Sequence, residues 1–211
     1  MALACIKHIN KSLSYALWHI EEPLSRLAAL YPFTEADQKL LESHKVESRK
    51  AEWLSARLAL RSLMQAHGLE NLSIHKDSFG KPHLSEDKAF ISISHTQNWG
   101  AAVLSTQSAV GIDIEYPRDQ IQRIARKFLH PKEAQWTEND LGKLTQVWCA
   151  KEALYKLHGR TQLIFAEQLL IESPVGEFPS AGSIRENGSE EKYNLHYDWA
   201  EDLLLCLAFS S

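Results

Sequence analysis

The sequence predicts an α+β fold made of two similar α/β halves, residues 1–105 and 106–211, packed side by side with the active site between them. Three observations carry that prediction. The 211 residues are 44% hydrophobic and 24% charged, which suits one large domain or two small ones with adequate cores. Trp53, Arg57 and Arg61 share the spacing of Trp148, Glu152 and Lys156, each set on a predicted helix. Downstream of each helix comes a pair of strands broken by a turn with a tryptophan, Trp99 before Ala101–Leu104 and Trp199 before Leu203–Phe209. Repeats of this kind point to duplicated units, and clefts between units favour ligands.

The elements follow in order. Residues 34–67 read as mostly helical, with Thr34 as N-cap, Asp37 at the third helical position as a weaker capping box, and Gly68 as the stop. Leu72-Ser73-Ile74 is a short strand and Phe79-Gly80-Lys81-Pro82 a turn. Phe90–Ser94 and Ala101–Leu104 are strands joined by the Thr96–Gly100 hairpin loop. Residues 109–115 form a strand so apolar that it should be central in its sheet. A short basic helix covers residues 119–129. A stronger helix covers 143–158, ends at Gly159, and turns Val147, Ala150, Leu154 and Leu157 to the core. The last third reads as strands around 168–172, 193–198 and 203–209, with a polar loop near Glu186–Glu191.

Composition excludes several classes. A net charge of −4 gives no long-range attraction to nucleic acid or to an anionic membrane, so neither is an expected partner. Cys5, Cys149 and Cys206 are odd in number and widely spaced, which reads as free thiols in a reducing compartment. Near the N-terminus the apolar residues are interrupted by His8, Asn10 and Ser12, leaving no signal-peptide core or membrane span. A cytoplasmic protein is expected.

The chemistry concentrates in Gly111-Ile112-Asp113-Ile114-Glu115. Alternation puts Val110, Ile112 and Ile114 on one strand face and Asp113 and Glu115 on the other, roughly 6–7 Å apart at Cα. Two acids on such a strand call for a counter-ion, and oxygen-only ligands point to Mg²⁺ or Mn²⁺ rather than zinc. Glu152 and Lys156 alone read as a surface i,i+4 ion pair. In a second reading Glu152 joins Asp113 and Glu115 around the metal while Lys156 reaches a phosphate, with Lys151 at the flank of the apolar stripe, open to solvent or ligand. His95 alone reads as a structural hydrogen-bonder and Cys149 as packing.

Gly111–Glu115 and Trp148-Cys149-Ala150-Lys151-Glu152-Ala153-Leu154-Tyr155-Lys156 resemble, in residues and spacing, the two signature motifs of the 4′-phosphopantetheinyl transferases. Phe79–Pro82 and Ile91-Ser92-Ile93-Ser94-His95 resemble two upstream motifs of the same superfamily. Length and apparent duplication resemble its larger, monomeric, surfactin-synthetase-activating type. The resemblance covers residues of about 50–160. It implies two halves in pseudo-twofold arrangement and transfer of 4′-phosphopantetheine from coenzyme A to a serine of an apo-acyl or peptidyl carrier protein, releasing 3′,5′-ADP. It further implies Mg²⁺ on Asp113, Glu115 and Glu152, catalytic roles for Glu152 and Lys156, and coenzyme A contacts from Arg57, Lys81, Pro82, Ser94, His95, Lys151 and Lys156.

The nucleophile would then arrive on the partner. Carrier proteins of this kind are usually acidic, and Arg118, Arg123, Arg126 and Lys127 offer a basic face to dock one, with Arg123, Arg126 and Lys127 at i, i+3, i+4. The family's N-terminal basic contacts have no counterpart before Arg49. Two rival readings are an inactive homologue that holds carrier or nucleotide, and a Mg²⁺-dependent nucleotide phosphohydrolase that needs no acceptor.

Overall fold

The structure, a computed structural model, describes residues 3–160 and 162–210. In chain order the elements are β1 (Leu3–His8), β2 (Leu13–His19), α1 (Leu24–Leu30), α2 (Glu35–Ser43), α3 (Glu47–Ala66), β3 (Ile74–Lys76), β4 (Pro82–Leu84), β5 (Phe90–Thr96) and β6 (Trp99–Ser105). They continue with β7 (Val110–Glu115), α4 (Asp119–Phe128), α5 (Pro131–Thr137), α6 (Leu141–His158), α7 (Phe165–Gln168), β8 (Leu169–Ile171), β9 (Ala181–Glu186), β10 (Ser189–Ala200) and β11 (Leu203–Phe209). The architecture is mixed α/β in two compact units. One runs to His75 and resumes over Leu84–Gln107; the other takes Lys76–His83 and the chain from Ser108 onward.

In the first unit a four-stranded antiparallel sheet has the order β1-β2-β6-β5. The interrupting polar residues near the N-terminus close its first hairpin. Asn10 Oδ1 accepts from the Ser12 and Leu13 amides at 2.8 and 2.9 Å, so the side chain substitutes for backbone in the turn. Helix α3 buries Leu54, Leu58, Leu63 and Met64 with Ile91 and Leu104 of the sheet. Gly100 permits this approach, because a Cβ there would overlap the Ala56 backbone and the Ser55 hydroxyl.

Residues 34–67 are mostly helical as expected, in two helices. The Thr34–Asp37 capping box starts α2, but His44 and Val46 take extended backbone and α3 begins afresh at Glu47. The stop at Gly68 has a physical cause. Its φ is +66°, and the Gly68 and Leu69 amides bond the Gln65 and Met64 carbonyls, satisfying the helix end as a Schellman motif.

The second unit holds a five-stranded antiparallel sheet in the order β7-β11-β10-β9-β8. Strand β7 is therefore an edge strand, contrary to the expectation that it is central. Its apolar character comes from cover on both faces, since all its residues but Glu115 are buried. Helix α6 buries Val147, Ala150, Leu154 and Leu157 as expected, among Phe128, Leu169, Ile184 and Leu204. Asp140 caps its start and Gly159, at φ +74°, its end. The polar loop expected near Glu186–Glu191 is the β9–β10 hairpin, whose two-residue turn Asn187-Gly188 has φ of +52° and +78°. Among the described residues no helix is long and apolar enough to cross a membrane.

Candidate active site

The second unit builds its site where α6 lies on β7. Gly111 sets the approach, because a Cβ there would overlap the Ala153 carbonyl and crowd the Leu157 amide. With the helix backbone so close, Asp113, two residues on from Gly111, meets Lys156 of α6. Lys156 Nζ donates to Asp113 Oδ1 at 2.7 Å, and Asp113 is 5% exposed. Glu115 follows on the same strand face. Its Oε1 accepts from Trp148 Nε1 at 3.1 Å and its Oε2 from Arg118 at 2.7 Å.

Glu152 stands one turn before Lys156, half-buried. Burial, then the Asp113 charge, pushes its carboxyl up to about 7; Lys156 opposes the rise and Glu115 adds to it. The Glu115 carboxyl is also raised, by burial first and by Asp113 next, with Arg118 and Trp148 holding it back. Three carboxylates thus feel one another across β7 and α6.

The expected metal residues lie together on β7 and α6 with partners from the chain itself. Among the described residues no three His, Cys, Asp or Glu side chains are gathered for an ion. Asp113 is turned onto Lys156 and Glu115 onto Arg118 and Trp148, so each takes a donor from the chain. The donor chemistry still suits a hard divalent cation. All three groups offer carboxylate oxygen, and a nearby cation would relieve the repulsion that raises Glu115 and Glu152.

Lys151 lies elsewhere than expected. It is fully buried, with Nζ donating to the Phe128 and Phe165 carbonyls at 2.7 and 2.9 Å and paired with buried Glu133 at 2.7 Å. An ammonium has three donors, and all three are taken inside the protein. Burial pulls it down to about 8 against the opposing pull of Glu133. Glu133 also accepts from the Ile171 and His130 amides, so this pair ties α4, α5, α6, α7 and β8 together rather than meeting solvent or ligand. Cys149 packs as expected, its buried Sγ 3.3 Å from the Asp113 carbonyl and its thiol pushed well up by burial.

Lys81 and Pro82 belong to the same unit. Asp77 Oδ1 accepts from the Phe79 and Lys81 amides, shaping the turn at Gly80, whose φ is +87°. Lys81 Nζ donates to the Leu157 carbonyl, placing a cation at the C-terminal end of α6, where the helix dipole favours one. Burial lowers that ammonium, with Asp77 opposing. On α4, Ile121, Ala125 and Phe128 are buried while Arg123, Arg126 and Lys127 are exposed.

Arg57, Ser94 and His95 lie in the first unit. Arg57 is 6% exposed, lies 3.5 Å over the Trp53 ring and 4.0 Å from Asp37, and is held by the interior rather than free at the surface. Ser94 is buried on β5, and His95 beside it is exposed. His95 Nδ1 lies 3.4 Å from Glu52, which also takes Arg49 at 2.8 Å. Sequence reasoning gave Arg49 no partner and did not single out Glu52. Their i,i+3 spacing was visible, but nothing in the sequence pairs Glu52 with a strand residue 43 positions away. It also missed the Trp148 and Arg118 bonds to Glu115.

Comparison with known proteins gives the following. Residues 109–207 match the 4′-phosphopantetheinyl transferase superfamily, and residues 36–105 match the 4′-phosphopantetheinyl transferase N-terminal domain. A Synechocystis protein carrying the transferase name is 30% identical over 133 residues, 56% of this chain and 54% of that protein. The 4′-phosphopantetheinyl transferase gsp of Aneurinibacillus migulanus is 31% identical over 100 residues, 45% of this chain and 41% of that one. The 4′-phosphopantetheinyl transferase HetI of a Nostoc species is 26% identical over 161 residues, 68% of each. The chain spans about half the length of the first curated relatives it matches, 40% and 54%.

Proposed function

Because the chain belongs to the 4′-phosphopantetheinyl transferase superfamily, we propose that it moves the 4′-phosphopantetheine group of coenzyme A onto a serine of an apo-acyl or peptidyl carrier protein, releasing 3′,5′-ADP. The observation that carries this reading is the Asp113–Lys156 pair at 2.7 Å, with Glu152 one turn before Lys156 on α6. Glu152, directly or through water, accepts the proton of the carrier serine. The serine oxygen bonds to the phosphopantetheine phosphorus, and the phosphoanhydride bond to 3′,5′-ADP breaks. Lys156 donates to a phosphate oxygen as charge develops there.

Asp113, Glu115 and Glu152 would hold Mg²⁺, with Mn²⁺ an alternative. That ion would supply charge neutralisation at the pyrophosphate. Coenzyme A contacts are assigned to Lys81, Pro82, Ser94 and His95, with Arg57 acting from its buried seat over Trp53. The exposed Arg123, Arg126 and Lys127, with Arg118, form the carrier-docking face. Reversing charge at Arg123 and Arg126 is expected to raise KM for carrier and leave coenzyme A affinity unchanged; unchanged carrier kinetics would remove this assignment.

Intact-mass measurement of a panel of apo-carriers, incubated with the protein, coenzyme A and Mg²⁺, tests the activity. The expected result is a gain of one phosphopantetheine that EDTA and Asp113→Ala abolish. Coenzyme A binding with no gain on any carrier would favour an inactive homologue instead.

A further inference from the structure

Resting on the reading that His95 meets a phosphate of coenzyme A, we infer that Glu52 is a positioning residue that holds His95 and Arg49 together as one anion-directed pair. Glu52 lies on α3 with its side chain 8% exposed. A single oxygen, Oε2, takes Arg49 Nη1 at 2.8 Å and His95 Nδ1 at 3.4 Å. Arg49 stands one turn earlier on the same helix, whereas His95 comes from β5, so this carboxylate joins a helix cation to a strand imidazole.

Two consequences follow from elementary chemistry. Glu52 at Nδ1 fixes the ring so that Nε2, on its far side, is directed away from the carboxylate. A doubly protonated ring donates from both nitrogens, one to Glu52 and the other to a phosphate oxygen. The charge count points the same way. Arg49 balances the one carboxylate, so protonation of His95 adds net positive charge, and the two basic groups are the exposed members, with side chains 61% and 37% exposed. A buried carboxylate between two outward cations suits a second anion bound in front of them. Glu52 therefore acts on affinity for coenzyme A through its neighbours and touches neither the acceptor serine nor the breaking bond.

Calorimetric titration of coenzyme A into the full chain, without carrier, tests the inference through a double-variant cycle. Glu52→Gln, which keeps shape and removes charge, is expected to weaken binding about tenfold, as is His95→Gln. The double variant is expected to lose less than the product of the two single losses, because Glu52 then has only Arg49 left to position. Glu52→Asp, which keeps the charge but withdraws it, gives a smaller loss in the same direction. At saturating coenzyme A, kcat of Glu52→Gln stays near wild type while KM rises. Wild-type affinity in Glu52→Gln, or losses that multiply in the double variant, overturns the positioning role. An unchanged affinity in His95→Gln overturns the phosphate reading beneath it, and the positioning role with it.

Discussion

Helices α3 and α6 each pack on a sheet at a strand glycine and carry opposite chemistry. Each passes over a strand glycine, Gly100 on β6 and Gly111 on β7, where a Cβ would overlap helix backbone. Each presents a tryptophan followed four and eight residues later by charged side chains. On α3 the Trp53 ring offers its face, and Arg57 stacks on it at 3.5 Å. On α6 the Trp148 ring offers its edge, and Nε1 donates to Glu115. The face of an aromatic ring is negative and its edge positive. One scaffold therefore seats a cation in the first unit and supports carboxylates in the second by turning the same ring type differently.

The largest expected effect breaks the carboxylate side alone. Glu152→Gln and Asp113→Asn should each lower kcat for carrier modification by about 10²–10⁴-fold. Their circular dichroism should stay that of wild type. Turnover within a few-fold of wild type would separate these acids from the chemistry.

The glycine pair comes next. Gly111→Ala and Gly100→Ala should each destabilise by about 1–3 kcal/mol in urea unfolding, since backbone rather than a flexible side chain must yield. A neutral effect at either would show that this close approach is not what seats the helix.

A pH series then sharpens the difference, and its sign is fixed. The ordinary glutamate value is 4.5 and the Glu152 carboxyl is raised to about 7, so between those limits the folded protein holds more protons than the unfolded one. Metal-free stability contributed by Glu152 is therefore present below pH of about 4.5 and lost as pH rises through about 7. Glu152→Gln should flatten that stretch of the unfolding profile, and Mg²⁺ should oppose the loss; an unchanged slope in the variant would assign it elsewhere.

The smallest effects come from the rings. Trp148→Phe removes a donor to a charged acceptor and should lower turnover about tenfold. Trp53→Phe keeps a face for Arg57 and should shift stability by no more than about 1 kcal/mol.

What was legible in the sequence follows the same physics. The Gly111–Glu115 strand and the Trp148–Lys156 helix could be read because alternation and helical period put their apolar and charged residues on opposite faces. Lys151 was misread because position on a helix gives direction but not depth. Its buried partner Glu133 arrives from α5, a helix that was not foreseen although His130 and Glu133 complete a capping box. The β9–β10 hairpin was read as a polar loop, because Ser189–Lys192, exposed on successive positions, show no apolar alternation. Centrality of β7 could not be inferred, because burial by a helix and burial within a ladder leave the same apolar pattern.

The most direct test of the account follows 3′,5′-ADP release and carrier mass in one reaction containing coenzyme A, Mg²⁺ and apo-carrier. The account predicts one 3′,5′-ADP for each carrier that gains a phosphopantetheine, and no release when the carrier serine is replaced by alanine. Release of 3′,5′-ADP without an acceptor would contradict it and make the protein a phosphohydrolase.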